Sequence, residues 1–168
     1  LAVCLMVVNR GAAEELKRLR HNNPGLVVDL GVGLWAFPLP MDYDGDGDND
    51  LVVSCPDKPY NGTYFFENTS GDVALPVFRP GVQIGKGFHH IQVSYVDGEP
   101  RVMTPGAEYR NFKKSQFDDK QTLPLDAEVH ENKVRANQWK YVDYNGDGTL
   151  DIIVGVGDWT DYGWDDAY

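Results

Sequence analysis

The stretch that decides the fold class is Asp42-Tyr-Asp-Gly-Asp-Gly-Asp-Asn-Asp50, which runs directly into the apolar Leu51-Val52-Val53. A second copy stands at 143–151, where Asp-Tyr-Asn-Gly-Asp-Gly-Thr-Leu-Asp precedes Ile152-Ile153-Val154. Both copies have the form Asp-x-Asp/Asn-Gly-Asp-Gly-x-x-Asp, followed by three apolar residues. A loop of this composition that enters a short apolar run twice indicates an internal repeat.

The carboxylates of these two loops predict metal binding. Like charges this close repel and raise one another's pKa, so the loop is unfavourable without a neutralising partner. Ca²⁺ is such a partner, because it prefers six to eight oxygen ligands. We therefore predict two Ca²⁺ sites, with Gly47 and Gly148 at the sharp reversals. The predicted ligands are Asp42, Asp44, Asp46, the carbonyl of Asp48, and Asp50 in the first loop, and Asp143, Asn145, Asp147, the carbonyl of Thr149, and Asp151 in the second.

A solvated turn and an EF-hand are the two alternative interpretations of these acidic loops. A solvated Asp-Gly turn between two strands would explain one copy, but two copies with matching offsets favour calcium. An EF-hand needs a bidentate Glu at position 12 and flanking helices. Position 12 is Val53 in one loop and Val154 in the other, each inside a strand-like run, which excludes the EF-hand.

The rest of the chain has the pattern of an antiparallel all-β protein. Runs of apolar, β-branched and aromatic residues are separated by Gly, Pro, Asn and Asp clusters. A degenerate copy of the repeat lies near 95–103, with Asp97 at its first position and a shortened loop. The repeat length of about 50 residues suits a four-stranded propeller blade. Residues 107–137 are more polar and predict a long connection with a strand or two inside it. The predicted strands are Leu26–Leu30, Leu34–Leu39, Leu51–Ser54, Tyr64–Glu67, Val82–Ile84, His90–Val96, Arg101–Thr104, Gln138–Val142 and Ile152–Val156.

The two loops, together with the run Gly62–Gly71 that ends in Asn-x-x-Gly, resemble the FG-GAP/VCBS-type repeat of calcium-binding β-propellers. The chain is nearer the secreted bacterial type than integrin α heads, since no Phe-Gly pair precedes the loops. The resemblance implies a partial β-propeller of about three blades over 26–168, without calcium in the degenerate copy. Because four to eight blades close a propeller, we expect an N-terminal fragment of a larger propeller. Its open blade edge would pair with the missing downstream blades.

The beginning of the chain predicts export. The apolar run Leu1–Val8 and the small residues Gly11 and Ala13 suggest that 1–13 is the remnant of a signal peptide. A short buried strand or helix turn is the alternative. Residues 14–25 are expected to form a short helix or linker, and the protein is expected to be secreted, extracellular or periplasmic. The two cysteines are too few for a disulfide framework.

The net charge of −11 argues against nucleic acid or an anionic membrane surface as partner, and no segment predicts membrane insertion. The two loops carry eight of the 26 acidic residues, five in the first loop and three in the second. Two bound Ca²⁺ ions would reduce the net charge to about −7. Much of the acidic excess is therefore predicted to be ligand charge.

Two functions follow from these features. The first is a secreted binding or scaffolding module for a glycan or an extracellular protein, with Trp35 and Trp139 filling space between blades. Aromatic residues near the end of the chain would then stack on a ligand, and these are Trp159, Tyr162, Trp164 and Tyr168. The alternative is a lyase-like polysaccharide enzyme, in which His and Tyr move protons and Arg neutralises a uronate carboxylate. Its candidates are His89, His90, Tyr95 and Arg101, with Tyr109 and Arg110 nearby. The adjacent histidines would point to opposite faces of a strand.

Overall fold

The computed structural model describes residues 30–124 and 134–158, and these are mostly β-structure. The segments 1–13 and 14–25 and the aromatic residues of 159–168 lie outside the described residues. Within the described part, ten strands and one short helix follow one another along the chain. They are β1 (Phe37–Met41), β2 (Asp50–Cys55), β3 (Gly62–Phe66), β4 (Val82–Gly85), β5 (Gln92–Val96), β6 (Glu99–Thr104), β7 (Ala107–Tyr109), α1 (Phe112–Ser115), β8 (Lys120–Thr122), β9 (Val134–Val142) and β10 (Asp151–Asp158).

The strands form three antiparallel sheets. Two of them are four-stranded, with the orders β1-β2-β3-β4 and β5-β6-β7-β8, and the third is the pair β9-β10. Each strand therefore pairs with its neighbour in sequence, which is an up-and-down meander. The predicted antiparallel all-β class is confirmed, and the polar stretch 107–137 contains β7, α1, β8 and the start of β9.

The sequence of β1 explains why it is the outer strand of its sheet. Its residues Phe-Pro-Leu-Pro-Met alternate between buried and exposed positions, with the two prolines exposed. A proline has no N–H for a sheet ladder and is tolerated at a sheet edge. The predicted strand Leu34–Leu39 was placed too early, since β1 begins at Phe37.

The main core lies between the first two sheets. Phe37, Leu39 and Met41 of β1 pack with Val93 of β5 and Val102 of β6. The first strands of successive sheets also contact one another, β1 with β5 and β5 with β9. The two sheets consequently share one apolar core, which holds the β1–β2 connection in a fixed position relative to β5 and β6.

The two tryptophans predicted to fill space between blades, Trp35 and Trp139, differ in their exposure to solvent. Trp139 of β9 is 1% exposed, and its indole N–H donates to Asn137 Oδ1 at 2.6 Å. Trp35 is 46% exposed, so the predicted filling of space between blades is not complete at Trp35 in the described residues. It lies in a turn with φ 62°, and the Arg135 guanidinium stands 5.0 Å from its ring centroid. A cation on the ring face stabilises an aromatic side chain that the core does not cover.

Candidate metal centre

The first acidic loop, residues 42–50, connects β1 to β2. Asp42, Asp44 and Asp50 each direct a carboxylate oxygen to one place, where the three oxygens lie within 4.8 Å of one another. Asp50 opens β2 and is 2% exposed, whereas Asp44 is exposed. Pairing of Met41 with Asp50 in the sheet brings the two ends of the loop together, so carboxylates at both ends converge.

Backbone N–H groups of the loop are turned toward its own side chains. Gly45 N donates to Asp42 Oδ1 at 2.7 Å, Asp46 N to Asp44 Oδ1 at 3.1 Å, and Asp48 N to Asp46 Oδ1 at 3.1 Å. Gly47 has φ 99°, in the region where a β-carbon is strained. This agrees with the sharp reversal predicted there. The backbone conformation of the loop is thus determined by Asx-type turns and one glycine, not by the hydrogen bonds of a helix or sheet.

Asp50 ties the loop to the rest of its sheet. Its Oδ2 accepts from Tyr43 N at 2.9 Å and from Asp44 N at 3.4 Å, and its Oδ1 accepts from Asn68 N at 2.8 Å. Asn68 is 1% exposed, and its amide nitrogen donates to the carbonyl of Asn49 at 3.4 Å. A buried carboxylate with several N–H donors is held in one position. The loop is therefore anchored to the segment that follows β3.

The electrostatics of the first acidic loop disfavour the charged state of two of its carboxylates, Asp44 and Asp48. Loss of solvent raises the pKa of the Asp44 carboxyl, and the charges of Asp50, Asp46 and Asp42 raise it further against an opposing backbone N–H at Asp46. The pKa of Asp48 is raised for the same reasons, desolvation first and then its acidic neighbours. Asp48 Oδ1 is buried and has no hydrogen-bond partner. The loop thus concentrates negative charge that its own backbone does not fully compensate.

One cation reaches this loop from the second sheet. Lys113 of α1 places Nζ 3.5 Å from Asp42 Oδ2, with both side chains about one-third exposed, at 29% and 33%. The Tyr43 ring packs on Phe65, with centroids 4.7 Å apart, and its hydroxyl accepts from Gln116 Nε2 at 3.0 Å. The segment 112–116 therefore contacts the first acidic loop through both a charge pair and a tyrosine.

The second acidic loop, residues 143–151, connects β9 to β10 and repeats the local geometry. Gly146 N donates to Asp143 Oδ1 at 2.7 Å, Asp147 N to Asn145 Oδ1 at 2.9 Å, and Thr149 N to Asp147 Oδ1 at 2.7 Å. Asp143 also accepts from Asp147 N at 3.1 Å and from Gly148 N at 2.9 Å. Its carboxylate is therefore folded onto the backbone of its own loop.

The acidic side chains of the second acidic loop converge less than those of the first. In the described ranges 30–124 and 134–158, no second group of three acidic, His or Cys side chains approaches within 4.8 Å. The N–H of Thr149, followed by the side chain of Asn145, lowers the pKa of Asp147. This loop accordingly compensates its own charge more fully.

The degenerate copy has a different connection. β5 and β6 are joined by Asp97 and Gly98 alone, with φ values of 53° and 80°. Two consecutive residues of positive φ are typical of a two-residue type I′ hairpin turn. The shortened loop predicted from the sequence is thus a tight turn.

The histidines and the arginines considered for lyase chemistry do not lie in one site. His89 and His90 lie in the turn before β5, not within a strand, and both rings face Phe37, at 6.5 and 5.9 Å between centroids. The predicted strand His90–Val96 therefore begins too early, and the histidines do not point to opposite faces of it. Burial, and then His89, lower the pKa of His90.

Tyr95 and Arg101 stand apart from the histidines and from each other. The Tyr95 hydroxyl donates to the carbonyl of Pro40 at 2.6 Å, and burial raises its pKa. Tyr95 is paired with Pro100 and Arg101 with Ser94. Because successive residues of a strand alternate between faces, Tyr95 and Arg101 lie on opposite faces of the sheet.

Tyr109 and Arg110 have structural contacts. Tyr109 is 3% exposed, and burial raises its pKa. The Arg110 Nε donates to Glu108 Oε1, and Glu108 Oε2 accepts from the Tyr141 hydroxyl at 3.0 Å. Burial and the hydrogen bond to Glu108 raise the pKa of Tyr141, which Arg110 and Arg101 oppose.

Sequence reasoning missed two participants in the candidate metal centre. Asn68 belongs to the Asn-x-x-Gly ending of the run Gly62–Gly71, and its position after an aromatic strand is the sequence signal for it. Lys113 had none, because 71 positions of chain separate it from Asp42 and no local pattern links them. Both act through contacts between elements.

The donor set of the first acidic loop could hold a hard divalent cation, and Ca²⁺ is one whose ligand distances can be compared with it. Ca²⁺ holds oxygen ligands at about 2.4 Å, so oxygens on opposite sides of one ion lie about 4.8 Å apart. The convergent oxygens of Asp42, Asp44 and Asp50 fall within this limit. All are hard carboxylate ligands, and no His or Cys joins the described group.

Comparisons with known proteins add no identification, since no protein family, curated protein or solved structure matches the chain. Within the residues that the structure describes, no helix is long and apolar enough to cross a membrane.

Proposed function

We propose that the first acidic loop binds Ca²⁺ and that the ion clamps the β1–β2 hairpin. The observation that carries this proposal is the convergence of Asp42, Asp44 and Asp50 oxygens within 4.8 Å. The uncompensated charge at Asp44 and Asp48 supports it: desolvation, and after it the neighbouring carboxylates, raise both pKa values, and a dication would remove that repulsion. Asp46 and the Asp48 carbonyl complete the proposed ligand set.

The second acidic loop is proposed as a second and weaker Ca²⁺ site, formed by Asp143, Asn145, Asp147, the Thr149 carbonyl and Asp151. Its matching Asx turns support the assignment. An asparagine at the third position gives it one negative charge fewer than the first loop has there. Because affinity for Ca²⁺ rises with the number of charged ligands, we expect the second acidic loop to bind the ion more weakly than the first.

At the level of the whole chain, we propose a partial β-propeller of the FG-GAP/VCBS type, part of a secreted binding or scaffolding module for a glycan or protein. Two consecutive four-stranded meanders support this, as does the contact between the first strands of successive sheets. Blades of a propeller are four-stranded sheets arranged around an axis. Calcium would then serve to fix the hairpin that begins a blade.

Calorimetric titration and thermal melting test calcium binding. Ca²⁺ should bind with two resolvable affinities and raise the melting temperature, and EGTA should reverse the rise. Asp42→Asn and Asp44→Asn should each weaken the tighter site by about tenfold or more, because each removes a charged ligand. Asp118→Asn, which changes an exposed carboxylate in the connection between α1 and β8, is the matched control and should bind as the unmodified chain does. Identical melting in Ca²⁺ and EGTA would overturn the proposal.

A further inference from the structure

A cleft of about 460 Å³ lies between β6 and α1 and is lined by four cations. Arg101 comes from β6, Arg110 from the end of β7, and Lys113 and Lys114 from α1. Glu99 is the one acidic residue of its lining. A concentration of positive charge is unexpected on a chain of net charge −11. We call this feature the cationic cleft.

A buried glutamate, Glu108, fixes the orientation of the Arg110 side chain. Its Nε donates to Glu108, a glutamate that is 2% exposed and is also held by the Tyr141 hydroxyl at 3.0 Å. The Arg110 side chain nevertheless remains 51% exposed. Since Nε is one of five N–H donors, the two terminal nitrogens keep donors for a ligand. A guanidinium fixed in this way loses little freedom when it binds a planar oxyanion in a bidentate manner.

Lys113 connects the cationic cleft to the first acidic loop. Its ammonium lies 3.5 Å from Asp42 Oδ2, and Asp42 is one of the three converging carboxylates. A cation bound to Asp42 would compete with Lys113 for that carboxylate. The ammonium would then be released to a neighbouring anion.

We propose that the cationic cleft binds an oxyanion, a carboxylate or sulfate group of a small molecule or saccharide, and that Lys113 couples this site to the first acidic loop. Arg110 and Arg101 supply directional donors, and Lys114 supplies charge. The coupling, which rests on the proposed function, means that the oxyanion binds more tightly when Ca²⁺ occupies the loop. Linkage requires the reverse as well, so the oxyanion strengthens Ca²⁺ binding by the same factor.

Titration with sodium sulfate in EGTA, at ionic strength held constant with NaCl, tests the oxyanion site by amide chemical shifts. Saturable shifts should cluster at residues 99–114, with a dissociation constant of about 1 to 10 mM. Arg101→Gln and Lys114→Gln should each weaken binding about threefold or more. Lys120→Gln removes an exposed lysine of β8 and should leave binding unchanged. A parallel titration with sodium glucuronate distinguishes the sources, because binding by one salt alone assigns a sulfate or a carboxylate. Linear shifts spread over all lysines, with both salts, would overturn the site.

Repeating the sulfate titration with saturating Ca²⁺ tests the coupling. The dissociation constant should fall by about fivefold, and Lys113→Met should remove this difference while tightening Ca²⁺ binding in the absence of sulfate. Lys114→Met, its sequence neighbour, should not tighten Ca²⁺ binding. An unchanged sulfate affinity despite measured Ca²⁺ binding overturns the coupling alone. Absence of Ca²⁺ binding overturns the proposed function and with it the coupling, and the EGTA titration still decides the oxyanion site.

Discussion

The two acidic loops have nearly the same backbone and different surroundings. Four backbone N–H groups donate to side-chain oxygens at equivalent positions in the two loops. The donors are Tyr43, Gly45, Asp46 and Asp48 in the first loop, and Tyr144, Gly146, Asp147 and Thr149 in the second. In the first loop, however, the last carboxylate is buried and anchored to Asn68, and desolvation, followed by the neighbouring carboxylates, raises the pKa of Asp44. In the second, hydrogen bonds within the loop lower the pKa of Asp147.

This difference shows that the backbone conformation of such a loop and its uncompensated charge have separate causes. The backbone conformation comes from Asx turns and positive-φ glycines, which the local sequence supplies in both copies. The uncompensated charge comes from an aspartate at the third position and from burial of Asp50 against the segment after β3. The first acidic loop is thus the one whose stability should depend more on a cation.

The largest expected difference is between Asp50→Asn and Asp151→Asn in EGTA. Asp50 accepts from three backbone N–H groups, whereas Asp151 is partly exposed and accepts from Tyr144 N at 3.1 Å. Loss of a buried charged acceptor should lower the free energy of unfolding by about 2 to 3 kcal/mol, against about 1 kcal/mol or less at Asp151. Urea unfolding measures both. Equal losses would mean that the anchor to Asn68 adds nothing.

The third position of each loop offers a reciprocal exchange. Asp44→Asn should weaken Ca²⁺ binding by the first acidic loop about tenfold, and Asn145→Asp should strengthen the second by a similar factor, since ligand charge sets affinity. That factor corresponds to about 1.4 kcal/mol. Calorimetric titration of each variant, with Asp118→Asn as control, measures the change. If Asn145→Asp leaves the second affinity unchanged, charge at this position is not what separates the loops.

Gly47→Ala and Gly148→Ala should have equal effects. Their φ values are 99° and 85°, and no atom lies within 4 Å of an added β-carbon, so the cost is conformational alone. Each should lower the free energy of unfolding by about 1 kcal/mol, as measured by urea unfolding. Gly→Asn at the same positions should cost less, because Asn tolerates positive φ. Unequal alanine costs would contradict a shared backbone geometry.

The smallest expected effects are on pH dependence in EGTA. Because the pKa of Asp44 is raised above 3.8 in the folded state, its charge destabilises the fold at neutral pH, and this is relieved as pH falls toward 3.8. The lowered pKa of Asp147 has the opposite sign, so its stabilisation is present above 3.8 and is lost as pH falls through the lower value. Thermal melting should therefore show Asp44→Asn stabilising and Asp147→Asn destabilising at pH 7. Both differences should shrink in acid, and shifts of the same sign at pH 7 would contradict the contrast.

Much of the fold followed from local pattern. Alternation in Phe37–Met41 and the short apolar runs predicted antiparallel strands, with errors at strand ends such as the start of β5. The space-filling role predicted for Trp35 follows from size and hydrophobicity, which favour burial on average, while its turn leaves it partly exposed beside Arg135. The sequence predicts a strand from His90 because no glycine stands at this position to indicate a turn. The structure nevertheless has a turn there, with φ 58° at His90.

The sequence by itself determined the two acidic loops, their glycine reversals and the all-β class, because each rests on residues adjacent in the chain. Only the tertiary structure decided which carboxylates converge, that Asn68 holds Asp50, and that Lys113 reaches Asp42 from α1. Such contacts depend on how sheets pack around a shared core, and packing joins residues that no local spacing relates. The interaction energy of two charged residues depends on the distance between them, and folding sets that distance.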